Sequence, residues 1–106
     1  MKEVKLNRRN FDDFINNPDF TVLVDFYATW CGPCIRMKPL LSKIAEENDD
    51  VLRVGMLDIN SEMELAAYYN VQSVPTFIVF KNGKICARGI GAKNEAQLME
   101  LINEGN

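Results

Sequence analysis

The feature that most constrains this chain is an apolar strand that runs almost directly into a helix start. Thr21-Val22-Leu23-Val24-Asp25-Phe26-Tyr27 is followed, after Ala28 and Thr29, by Trp30-Cys31-Gly32-Pro33-Cys34. A nearly continuous apolar run of this kind reads as a central strand covered on both faces. The residues after the cysteines keep helical spacing: Met37, Leu40, Leu41, Ile44 and Ala45 match an i, i+3, i+4, i+7, i+8 stripe. Charges at Arg36, Lys38, Lys43, Glu46 and Glu47 lie mostly off that stripe. Pro39 falls inside the helix and removes one backbone hydrogen bond, so a kink is expected there.

The remaining punctuation gives strands and helices in alternation. Val4–Leu6 reads as a weak first strand, and Asn10 as the cap of a helix that buries Phe11, Phe14 and Ile15 and ends at Asn17-Pro18. Val51–Asp58 is a third strand, and Ser61-Glu62-Met63-Glu64 has the form of a capping box opening a helix through Tyr69. Thr76–Phe80 and Lys84–Arg88 flank Asn82-Gly83, a two-residue hairpin signal. Asn94 caps a last helix that points Leu98, Leu101 and Ile102 inward. The order is βαβαβαββα, an α/β chain with parallel pairing from the alternation and antiparallel pairing from the closing hairpin. At 106 residues it is expected to be a single domain over 1–106.

Composition narrows the chemistry. The chain contains no histidine, which removes Cys-His and Ser-His nucleophilic sites and any zinc site that uses imidazole. Three cysteines cannot complete a four-thiolate zinc site, so neither metal nor cofactor is expected. A net charge of −3 gives no basic footprint for nucleic acid. Apolar runs fall short of a membrane span, and Met1-Lys2-Glu3-Val4-Lys5-Leu6 does not resemble a signal peptide. The expectation is a monomer of the reducing cytoplasm, where a CxxC is more often catalytic than structural.

The pattern assigns unequal roles to the two cysteines. Cys34 lies on the buried stripe with Met37 and Leu41, whereas Cys31 lies one turn earlier at the helix N-terminus, open to solvent. Unpaired N–H groups and the positive end of the helix dipole favour a thiolate at Cys31. Free thiols titrate near ~8.5, and CxxC sites lie lower. Cys31 therefore attacks and Cys34 resolves. Gly32 admits a close backbone, Pro33 fits the first turn, where its missing N–H is not needed, and Trp30 offers an apolar surface or simple core packing. Burial of Asp25 in its strand raises its pKa, which suits it to accept the proton of Cys34; the alternative is a hydrogen-bonded core acid. Val74-Pro75 precedes a central strand, where a proline marks a strand start or a special turn and admits a cis bond. Cys86 reads as a small strand hydrophobe with partial exposure, and Tyr68 and Tyr69 as packing residues.

Taken together, Asp25-Phe26-Tyr27-Ala28, the WCGPC run, Pro39, Val74-Pro75-Thr76, Lys81-Asn82-Gly83 and Gly89 to Ala92 closely resemble the thioredoxin family over nearly the whole chain. The resemblance implies a central mixed sheet flanked by helices and a general protein-disulfide reductase recharged by a thioredoxin reductase. It implies a cis Pro75 facing the cysteines. It also implies a docking surface for disulfide-containing target proteins made of Trp30, Gly32, Pro33, Val74, Pro75, Gly91 and Ala92. Tyr27 and Met56 depart from it: many relatives have tryptophan at the first position, and many bacterial ones have lysine at the second. A binding or scaffold subunit of the same fold, with redox turnover incidental, is the competing reading. An oxidase or isomerase is disfavoured, since such relatives usually carry histidine between the cysteines.

Overall fold

The computed structural model describes residues 3–105, so Met1, Lys2 and Asn106 of the expected domain lie outside the described residues. Its elements are β1 (Val4–Lys5), α1 (Phe11–Ile15), β2 (Thr21–Tyr27), α2 (Gly32–Glu47), β3 (Leu52–Asp58), α3 (Met63–Tyr68), β4 (Thr76–Lys81), β5 (Lys84–Ile90) and α4 (Glu95–Asn103). The βαβαβαββα order is the one the sequence pattern predicts. The strands form one mixed sheet in the order β1-β3-β2-β4-β5. β3 runs parallel to both β1 and β2, while β4 is antiparallel to β2 and to β5. The β3–α3–β4 unit is thus not a parallel crossover, as alternation alone suggests. The α3 connection returns the chain on the far side of β2, where β4 pairs with it in the opposite direction.

Period-2 alternation along β2 divides the core into two layers. Val22, Val24 and Phe26 face α1 and α3 and join Leu6, Phe11, Ile15, Leu57, Ile78 and Phe80. Leu23 faces α2 and α4 and joins Met37, Leu41, Ile44, Val54, Met56, Phe77, Val79, Leu98 and Ile102. The first layer is aromatic: Tyr69 lies 5.4 Å from the Phe11 ring, 6.0 Å from Phe26 and 5.5 Å from Phe80. Gly55 on β3 faces this layer closely, and a Cβ there would collide with Leu6 and Phe14.

Local signals hold unevenly. Asn94 caps α4 in a full capping box with Gln97, each side chain accepting from the other's backbone N–H. The Asn82-Gly83 turn has both residues at positive φ, 52° and 80°, as a tight hairpin requires. The Ser61–Glu64 capping box does not form. Glu62 takes the N-cap position without a side-chain bond, and the Ser61 hydroxyl donates instead to Asp58. Asn10 likewise makes no cap bond. Its amide oxygen accepts from Asn7 N–H and its amide nitrogen donates to the Lys5 carbonyl. Both helices have six residues or fewer, so loop contacts outweigh cap geometry. Pro39 lies inside α2, which continues past it to Glu47. Tyr68, expected to pack, is 79% exposed and only braces Tyr69 edge-on at 4.9 Å. No helix among the described residues is long and apolar enough to cross a membrane.

Candidate active site

Cys31 is the N-cap of α2 and Cys34 lies in its first turn, with Pro33 beside the cap. Helical geometry brings the two Cα atoms to 5.3 Å, and the sulfurs are joined as a disulfide. The Cys31 sulfur also accepts the Cys34 N–H at 3.2 Å, so a helix-terminal donor already points at the atom that would bear charge after reduction.

Contrary to the sequence-based expectation, Cys31 is not open to solvent: it is 5% exposed and Cys34 1%. The pair forms a small cluster with Ala28, and Tyr27, Ile59 and Val74 close over it. The Cys31 sulfur lies 3.9 Å from the Val74 carbonyl oxygen. Helical periodicity predicted the depth of Cys34 but carries no information about chain segments that arrive from elsewhere in the fold.

Three loops assemble around the disulfide. The Val74-Pro75 bond is cis, as the resemblance implies, and Pro75 is buried at the start of β4. Gly91 N–H donates to the Pro75 carbonyl at 2.8 Å, which seats the end of β5 against this loop, with Ala92 exposed beside it. The third loop follows β3. Ile59 N–H donates to Tyr27 carbonyl at 2.9 Å, and Asn60 accepts the Trp30 indole N–H at 3.0 Å. Trp30 is 69% exposed, which rules out core packing and leaves its ring face open beside Gly32 and Pro33. Ile59 and Asn60 are site residues that sequence reasoning missed. An apolar residue immediately after the end of β3 was the available signal.

Asp25 lies on the α2 side of the sheet and is fully buried. Neither carboxylate oxygen has a hydrogen-bond partner in the protein. Its register neighbours are apolar, Met56 on β3 and Phe77 on β4. Desolvation raises its pKa from 3.8 to about 7, against a smaller opposing pull from the Lys38 ammonium. The hydrogen-bonded core acid considered from sequence is therefore not what the fold builds. Tyr27, two residues on, is also pushed up, first by burial and then by Asp58 and Asp25. A carboxyl poised near neutrality on the face that α2 covers is able to take up or release a proton near neutral pH.

Fold and site together define a dithiol–disulfide protein of mixed α/β architecture, and comparison with known proteins agrees. The family model for thioredoxin matches residues 2–104. The chain is 46% identical over 93 residues to chloroplastic thioredoxin Y2 of Arabidopsis thaliana, an alignment covering 88% of this chain and 56% of that protein. It is 39% identical over 101 residues to a thioredoxin of Mycobacterium tuberculosis strain H37Rv, covering 95% and 87%. The structure of a single-site mutant of thioredoxin from Halobacterium salinarum superposes with a TM-score of 0.89 at 32% identity, covering 98% of this chain and 90% of that one. This chain belongs to the thioredoxin family. It spans 55–56% of the length of the plant relatives it matches.

Proposed function

We propose that residues 1–106 act as one domain and as a dithiol reductant of protein disulfides. The observation that carries this reading is the Cys31–Cys34 disulfide at the start of α2, beside Val74-Pro75 and on the side of the sheet that buries Asp25. In the reduced protein the Cys31 thiolate attacks one sulfur of a target disulfide. A Cys31–target bond forms, the target S–S bond breaks, and the first target sulfur leaves as thiolate. Cys34 then gives its proton to the Asp25 carboxylate and attacks the Cys31 sulfur. The Cys31–Cys34 bond forms, and the second target sulfur leaves and is protonated. Two electrons pass to the target with each cycle, and no cofactor is required in this chain.

Trp30, Gly32, Pro33, Val74, Pro75, Gly91 and Ala92 make the docking surface for an extended segment of the target. The exposed indole and the backbone of the Val74 loop beside the Cys31 sulfur favour this assignment. A thioredoxin reductase returns the disulfide to the dithiol, and the protein works as a monomer in the reducing cytoplasm. Equilibration with glutathione or dithiothreitol buffers, followed by thiol trapping, tests the reading. The expected reduction potential is near about −270 mV, the value typical of thioredoxin. A value above roughly −200 mV would assign an oxidant or isomerase instead. Full function of a Cys31→Ser, Cys34→Ser double variant would assign a binding subunit.

A further inference from the structure

Asp25 sits in a transverse row of the sheet. Reading across the strands, Lys5, Met56, Asp25, Phe77 and Gly89 are in register on β1, β3, β2, β4 and β5. Pleating sends residues in register to one face. Both immediate neighbours of Asp25 are therefore apolar. The cation in the row is Lys5, which is exposed and two strands away, about 10 Å at the usual strand spacing.

Helix α2, laid over this face, brings a second cation. Lys38 Nζ lies 5.5 Å from the centroid of the Tyr27 ring, and Tyr27 shares the face of Asp25 on β2. Lys38, Tyr27 and Met56 line one cavity of about 260 Å³ together with Glu3, Lys5 and Ser42. Lys5 and Lys38 are exposed, so the cavity reaches solvent next to the residues that flank the buried acid. Attraction to Lys38 is the influence that opposes desolvation at Asp25.

We propose that Lys38 is a positioning residue for the Asp25 proton: its ammonium, held over the Tyr27 ring beside Met56, favours the Asp25 carboxylate and so sets the pH at which Asp25 accepts the proton of Cys34. The second half of this statement rests on the reading of Asp25 as proton acceptor. A third lysine, Lys93, lies against Gly89 at the β5 end of the row, two strands from Asp25 as Lys5 is on the other side. Among the described residues, the remaining groups around Asp25 on this face are not cations. Glu3, which accepts from the Ser42 hydroxyl, is an acid and acts in the opposite sense. Tyr27 remains a neutral phenol at neutral pH, and Asp58, in register with Tyr27, is a second acid. Phe77 on β4 and Leu98 and Leu101 on α4 are apolar. The disulfide on α2 carries no charge.

The test is the pH titration of the Asp25 carboxyl carbon by NMR in the oxidised protein, where the cysteine pair cannot titrate. It compares the parent with Lys38→Met, Lys38→Arg and Lys5→Met; both lysines are exposed, so the variants fold. The expected inflection moves up by about half a unit to one unit in Lys38→Met, stays at the parent value in Lys38→Arg, and moves clearly less in Lys5→Met. An unmoved inflection in Lys38→Met, or an equal movement in Lys5→Met, overturns the proposal. Rapid-mixing release of a reduced target from its mixed disulfide separates the underlying reading. Below the Asp25 pKa, Lys38→Met should slow release about three- to tenfold, the loss of carboxylate that such a movement produces. A moved inflection with an unchanged release profile overturns Asp25 as acceptor while leaving the charge coupling in place.

Discussion

The two faces of the central sheet are built from alternate residues of the same strands, yet only one of them buries an acidic side chain. The α1/α3 face takes Val22, Val24 and Phe26 from β2 and closes over them with a ring cluster around Tyr69. Its buried side chains are apolar except for Thr76, in register with Phe26, whose hydroxyl donates to the Ser73 carbonyl. The α2/α4 face takes Leu23, Asp25 and Tyr27 from the same strand and buries a carboxyl group with no hydrogen-bond partner. A shift of one residue in the register of β2 would exchange the two sets. Both faces bury apolar side chains that keep the domain folded, and the α2/α4 face gives up part of that free energy to hold an acid near neutrality under the cysteine helix.

The sharpest way to break this comparison is at the disulfide. Cys34→Ser should reduce turnover to background while Cys31 still attacks, so a stable mixed disulfide with the target accumulates, visible by mass spectrometry. Recovery of normal turnover would remove Cys34 from the chemistry. On the opposite face, Phe80→Ala should cost about 3–5 kcal/mol in denaturant unfolding, because a fully buried ring is removed from the Tyr69 cluster. The Asp25 inflection should stay where it is in the parent; if it moves, the two faces are not independent.

Asp25→Asn tests the cost on the active face through its pH dependence. In the folded protein Asp25 binds its proton up to about pH 7, whereas in the unfolded chain it releases it near 3.8. Between those values the folded state holds more protons, so stability falls as pH rises and the cost is complete above pH 7. At 1.36 kcal/mol per pH unit the full span amounts to about 4 kcal/mol. The variant should therefore gain on the parent by up to that amount between pH 4 and pH 8, measured by chemical unfolding at each pH. A pH-independent difference would mean that Asp25 is not held neutral. The smallest effect belongs to Cys86 on the edge strand β5, exposed and away from both cores. Cys86→Ser should leave turnover unchanged and stability within about 0.5 kcal/mol.

Much of this was legible in the sequence because the signals are local. The apolar run of β2, the helical stripe from Met37 to Ala45, the Asn82-Gly83 turn and the Asn94 cap each act within a few residues and appear where expected. Signals that compete with contacts to the preceding strand and loop failed: Asn10 bonds to Asn7 and to Lys5 at the end of β1, and Ser61 to Asp58 at the end of β3, and not to the helices they precede. Burial of Asp25 follows from its place in an apolar strand, but the want of a partner for its oxygens does not, since any of several elements was able to provide one. Lys38 read only as one of the charges off the apolar stripe, and it is exposed; the packing of α2 over Tyr27 is what brings its field to Asp25.

The sequence by itself determined the elements, their order, the pair of sulfurs at a helix start and the acid in the central strand. These depend on periodicity, turn chemistry and the spacing of residues three or four apart, and all of them act over short range. The tertiary structure decided the antiparallel placement of β4 beside β2, and the cover over Cys31 from Ile59 and Val74. It also decided the docking of Gly91 on Pro75 and the reach of Lys38 toward a carboxyl group on another element. Each of those joins residues far apart in the chain, where which segments meet depends on the packing of the whole sheet and its helices.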